Sequence, residues 1–208
     1  MRTNERKCVR GKCTNKQYPK ERGCGGSIVG RKFVLSAAHC VFEKKKINDV
    51  KVVTKKYTNT DLAVRIGGHK LNDNTFTGHE KFCDISEIVV HPNYINYINM
   101  PPCRLEDCPH DLVIFILEEN LDLNFYTPVC LPLSSEVRKF DGRLMTLAGW
   151  GNTISPKSKA TFPNVPSEAK ITVFKPDDCP ESAYLPSQLC AGQTDASNRG
   201  TCSVSKIR

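Results

Sequence analysis

An all-β fold is predicted by three observations: short β-branched and aromatic runs, turn residues bounding each run, and no sustained 3.6-residue apolar period. In the first part of the chain the strand runs are Phe33–Ser36, Leu62–Ile66, Ile85–Val90 and Leu112–Leu117, each closed off by Gly, Pro, Asn or Asp. Leu144–Leu147 and Ala169–Phe174 repeat the pattern further on, and only the short stretch before Cys179 is weakly helical. The stretch from Pro128 to Pro132 punctuates the middle and reads as the crossing between two halves. Closed or nearly closed barrels are the natural architecture for so many short strands.

Eleven cysteines in 208 residues are dense for a cytosolic protein, and none stands in a C-x-x-C pair. A disulfide framework therefore fits better than a zinc site, and the odd count leaves at least one thiol without an intrachain partner. The longest apolar run, Leu112–Leu117, is far too short to span a bilayer as a helix. Residues 1–23 form a basic, polar leader holding Cys8 and Cys13, without the apolar stretch of a secretory signal. The conflict between that leader and the cysteine content is read as a missing start.

Much of the net charge of +8 lies in Lys44-Lys45-Lys46 and in Lys51, Lys55 and Lys56, which read as a solvated surface loop. Nucleic-acid binding would call for aromatic residues interleaved with the positive charge, and Tyr57 alone does not supply them. An acidic protein or polysaccharide partner is the lesser reading of the same patch.

The chemistry is concentrated in residues 24–40, C-G-G-S-I-V-G-R-K-F-V-L-S-A-A-H-C. A strand run stops at Ala37 and Ala38, whose small side chains let the backbone turn tightly directly before His39. A bond from Cys40 back to Cys24 would hold His39 in one place, as a general base requires. Asp111 directly precedes the apolar run Leu112–Leu117, which predicts a buried carboxylate at a strand start.

These segments resemble the trypsin- and chymotrypsin-like serine peptidases of family S1. Residues 24–40 are similar to that family's histidine segment, and Val64-Arg65-Ile66-Gly67-Gly68-His69 to its V-R-L-G-E-H strand. Ile88-Val89-Val90-His91-Pro92-Asn93-Tyr94 resembles I-I-x-H-P-x-Y, and Pro109-His110-Asp111-Leu112-Val113-Ile114 stands where the family has N-D-I-A-L. Pro128-Val129-Cys130-Leu131-Pro132, Gly149-Trp150-Gly151 and Leu189-Cys190-Ala191-Gly192 resemble P-V-C-L-P, G-W-G and M-C-A-G. All stand in the family's order across residues 24–202.

The resemblance implies a double β-barrel whose second barrel is incomplete. Residues 1–23 are then a basic leader, 24–130 an N-terminal barrel carrying His39 and Asp111, and 131–208 a partial C-terminal barrel. It implies His39 as general base and Asp111 as the orienting carboxylate of a Ser-His-Asp relay. It implies disulfides Cys24–Cys40 and Cys179–Cys190, a bond from Cys130 to Cys8 or Cys13, and Gly200 at the floor of the substrate pocket. Cys103 and Cys108 could close a small loop together, and Cys83 has no evident partner. His69, His79, His91 and His110 read as turn or strand-end residues. No cofactor or metal is implied, because Gly68 replaces the glutamate that would supply an oxygen ligand to calcium.

Departures from the pattern limit the functional expectation. Lys206 stands four positions after Cys202, in the register of the nucleophilic serine, and Ser203 and Ser205 match neither spacing nor glycine context. The glycine-rich oxyanion loop, an R-I-V-G-G activation sequence and the later strands are also missing. The chain is therefore expected to be a truncated form of a secreted serine endopeptidase, inactive as written and monomeric, related to enzymes that act on protein or peptide substrates. The alternative is a non-catalytic homologue that binds a protein partner or inhibitor. Neither nucleic acid nor membrane is an expected partner, and residues 131–208 are expected to be held more loosely than 24–130.

Overall fold

The computed structural model describes residues 8–9, 12–13, 24–47, 50–70, 79–97, 109–133, 140–151, 163–178 and 189–192. Two very short strands, β1 (Cys8–Val9) and β2 (Lys12–Cys13), pair antiparallel with Cys8 opposite Cys13. They are followed by β3 (Ser27–Ile28), β4 (Phe33–Ser36), β5 (Phe42–Ile47), β6 (Val50–Lys56), β7 (Ala63–Ile66), β8 (Lys81–Val90) and β9 (Val113–Leu117). Five of these form an antiparallel sheet in the order β3-β4-β9-β8-β7.

Strand β9 lies at the centre of that sheet because its sequence, V-I-F-I-L, is apolar at every position. Its alternate residues Val113, Phe115 and Leu117 point inward and are buried, as period-two geometry demands. In β8 the inward parity changes: Cys83 and Ile85 are buried near its start, but Val90 at its end. A register shift against β9 between Ile85 and Glu87 accounts for this, since one extra residue flips every later side chain to the other face. Gly67, after β7, has φ 72°, and a Cβ there would sit 2.5 Å from the His79 carbonyl oxygen, so only glycine fits.

A short helix, α1 (Pro92–Tyr97), follows β8, with proline at its first position, where no helical N–H is lost. It delivers Tyr94, fully buried, onto Phe42 with ring centroids 5.9 Å apart. Together with Val34, Ile66, Ile85, Leu117 and Leu121, these rings make one continuous core.

The lysine clusters correct one expectation. Lys44–Lys46 and Lys51, Lys55 and Lys56 lie in the hairpin β5–β6 rather than in a loop. The base of the hairpin is tied to the core through buried Phe42 and Tyr57 and a bond from the Tyr57 N–H to the Val41 carbonyl, 2.8 Å. Val50, Val52 and Val53 in β6 supplied the strand propensity that the charge obscured. Helix α1 was likewise not expected, being too short to display a period.

The chain divides into two units, residues 1–68 with 73–129, and residues 69–72 with 130–208. The second holds β10 (Leu144–Gly149), β11 (Ser167–Val173) and β12 (Ala191–Gly192), an antiparallel sheet in that order. A 3-10 turn at Pro176–Asp178 stands where the weak helical pattern was read. No described helix is long and apolar enough to cross a membrane.

Candidate active site

Strand β4 ends at Ser36, whose hydroxyl donates to the Gly25 carbonyl at 2.8 Å. Ala37 is still extended, and the chain then tightens into a 3-10 turn over Ala38–Val41. Ala38 is fully buried, so a larger side chain could not make this turn without displacing the core. The Cys24–Cys40 disulfide closes the segment with a Cα separation of 6.2 Å. Sequence and structure agree here: the strand, the small residues and the cross-link together seat His39.

Asp111 comes from the neighbouring strand of the same sheet, between a turn at Pro109–His110 and the start of β9. The sheet brings the two residues together by pairing Ser36, at the end of β4, with Val113, at the start of β9. His39 Nδ1 lies 2.7 Å from Asp111 Oδ2, and the His39 backbone N–H donates to Asp111 Oδ1 at 2.8 Å. A carboxylate can only accept, so Nδ1 carries a proton, and in the neutral ring Nε2 then keeps its lone pair. One carboxylate thus grips a single residue at two points, fixing both the tautomer and the ring plane. The side chains are 24% and 17% exposed, leaving the pair shielded but reachable.

The sulfurs of Cys24 and Cys40 lie within 4.8 Å of an imidazole nitrogen of His39, a grouping that could resemble a metal site. Because the sulfurs are bonded to each other, they are not the thiolates that soft metals require. Near Gly68, the buried Glu80 carboxylate accepts from Arg65 Nη2 at 3.0 Å, so a guanidinium already faces the acidic group there.

The remaining histidines stand at turns and strand ends, as expected. The His69 carbonyl accepts from Trp150 Nε1 at 3.0 Å, and the His79 carbonyl from the Tyr126 hydroxyl at 2.5 Å. His91 and His110, however, stack on one another with centroids 4.7 Å apart and planes 7° from parallel. The adjacency of His110 to Asp111 is visible in the sequence, but its stack on His91 is not.

Gly200, Ser203, Ser205 and Lys206, along with Cys103, Cys108, Cys179 and Cys202, lie outside the described residues. Cys190 is disulfide-bonded. Cys130 departs from the implied bond to Cys8 or Cys13: its thiol is free and exposed. Cys83 is free and buried, and burial pushes its thiol up to about 11.

Comparisons with known proteins bear on the family. The family model described as Trypsin matches residues 6–203. Trypsin-2 of Salmo salar is 30% identical over 176 residues, which cover 81% of this chain and 60% of the salmon protein. The CLIP domain-containing serine protease B9 of Anopheles gambiae is 27% identical over 86% of this chain and 43% of its own length. The chain thus spans about half the length of these curated relatives. Among solved structures, neuropsin, a serine protease expressed in the limbic system of mouse brain, superposes with a TM-score of 0.58 and 26% identity. That match covers 83% of this chain and 65% of neuropsin. With an all-β architecture and a matching family profile over nearly its whole length, this chain belongs to the trypsin-like S1 peptidase family.

Proposed function

We propose that His39 and Asp111 are the general base and orienting carboxylate of a Ser-His-Asp serine endopeptidase. With a nucleophile-bearing segment, such an enzyme would be secreted and would hydrolyse peptide bonds of protein substrates. The observation that carries this reading is the double grip of Asp111 on His39, at 2.7 Å to the ring and 2.8 Å to the backbone. A serine hydroxyl is a poor nucleophile until a base takes its proton, and His39 Nε2 is the atom free to do so. The imidazolium formed in that step would be stabilised by the Asp111 carboxylate, which stays ionised.

On this reading, residues 24–130 form the barrel carrying the base, 131–208 contribute part of a second barrel, and 1–23 form a leader. Cys179 pairs with Cys190, and Gly200 lies at the floor of the substrate pocket. That floor carries no carboxylate to pair with an Arg or Lys side chain, favouring apolar or mixed substrates. Because Lys206 stands in the register of the nucleophile, the 208-residue polypeptide is inert toward peptides.

The test joins the family's nucleophile-bearing segment after Cys202 and adds an activatable N-terminus. The graft should gain turnover and fluorophosphonate labelling, which the 208-residue polypeptide should lack. In the graft, His39→Ala should abolish activity, and Asp111→Asn should lower kcat by about ten-thousand-fold, as it does in the type case of this relay. Equal activity of the graft and its Asp111→Asn variant would show that another carboxylate is used.

A further inference from the structure

We infer that His110 is a positioning residue for Asp111, acting through its stack on His91. The inference rests on His39 and Asp111 forming the base half of the relay. Among the described residues, His110 is the one non-glycine with positive φ, at 60°. Histidine tolerates this left-handed region better than most side chains, though less freely than glycine. The conformation lets the chain reverse sharply before β9, with the Leu112 N–H donating to the His110 carbonyl at 2.6 Å. Asp111 sits inside that reversal, so the direction of its carboxylate depends on how the turn is held.

The turn is held from the His91 side. The His91 backbone N–H donates to the Leu112 carbonyl at 2.9 Å, and its ring lies flat against His110. His91 is itself fixed: its Nδ1 accepts from the Asn93 N–H at 3.2 Å, and its carbonyl accepts from the Tyr94 N–H at 3.0 Å. With Nδ1 accepting, Nε2 is the nitrogen left to carry a ring proton. Tyr94 is buried on Phe42, which directly follows the 3-10 turn carrying His39. The contacts therefore run from Asp111 through His110, His91, Tyr94 and Phe42 back to the histidine turn. The His110 ring thus ties the turn to His91, the residue that leads into α1.

The proton between His39 Nδ1 and Asp111 should give a strongly downfield signal in proton NMR of the 208-residue protein, whether or not the protein hydrolyses anything. Four samples are compared: wild type, His110→Asn, His91→Ala and His91→Phe, with thermal melts confirming that each is folded. His110→Asn keeps the left-handed turn but removes the ring, and His91→Ala removes the surface on which His110 stacks. Both should lose the downfield signal while the fold survives, and His91→Phe, with its planar ring, should keep it. An unchanged signal in both His110→Asn and His91→Ala would overturn the inference while leaving the base pair intact. Loss of the signal in His91→Phe would overturn the role of the stack. A wild-type protein without the signal would overturn the paired base and, with it, this inference.

Discussion

In the first unit, β9 turns Val113, Phe115 and Leu117 inward, and all three are buried. In the second, β10 pairs with β11 along its full length, yet Leu144 is 65% exposed. Among the described residues, Val173 is the only buried hydrophobic of the second unit. Antiparallel pairing is present in both sheets, whereas the burial of their side chains differs. Hydrogen bonds are nearly balanced by those the unfolded chain makes with water, whereas apolar burial provides net stabilisation. Both members of the candidate catalytic pair belong to the unit that buries its core.

The largest contrast should come from truncating equivalent residues. Leu117→Ala removes a fully buried side chain and should cost about 2–5 kcal/mol of stability. Leu144→Ala removes a mostly exposed one and should change stability by no more than about 0.5 kcal/mol. Urea denaturation of the two variants measures the difference. Similar losses would mean that the second sheet is covered as thoroughly as the first.

Thiol chemistry sharpens the same comparison. Cys83 in the first unit is buried, and burial holds its thiol up at about 11, whereas Cys130 in the second is exposed. Iodoacetamide at neutral pH should alkylate Cys130 in the native protein and leave Cys83 untouched until denaturant is added. Peptide mapping distinguishes the two sites. Rapid native alkylation of Cys83 would show that the core of the first unit opens readily.

The smallest effect concerns pH at the margin of the first unit. Lys55 Nζ, 2.8 Å from Asp61, and the Thr58 backbone and hydroxyl donors hold the Asp61 carboxyl down at about 2, against an ordinary 3.8. A lowered carboxylate pKa means that its stabilisation is fully present above 3.8 and is lost as pH falls through about 2. The pair is solvent-exposed, so its contribution is small and sensitive to salt. Carbon NMR titration of Asp61 should place its midpoint well below the ordinary value. A midpoint near 3.8 would show that neither Lys55 nor the Thr58 donors hold the carboxylate in solution.

Much of the first unit was legible in the sequence because its signals were local. Phe33–Ser36 is a strand with the boundaries read from the sequence, and the small residues before His39 make the tight turn. The Cys24–Cys40 bond and the approach of Asp111 to His39 followed from family resemblance. The hairpin β5–β6 escaped notice because consecutive lysines resemble a solvated loop, although Val50, Val52 and Val53 carry strand propensity. The parity change within β8 depends on a register shift that only its partner strand reveals. Likewise, the stack of His91 on His110 joins residues 19 positions apart, and no local pattern encodes it.

The central claim is that the first unit holds His39 ready as a base, with its proton on Nδ1 and its lone pair on Nε2. Long-range nitrogen–proton correlation NMR of the isotope-labelled 208-residue protein reads this tautomer directly. The expected result is a neutral His39 protonated at Nδ1 in the wild type, with that preference lost in Asp111→Asn. A wild-type His39 protonated at Nε2, or a tautomer indifferent to Asp111→Asn, would contradict the account.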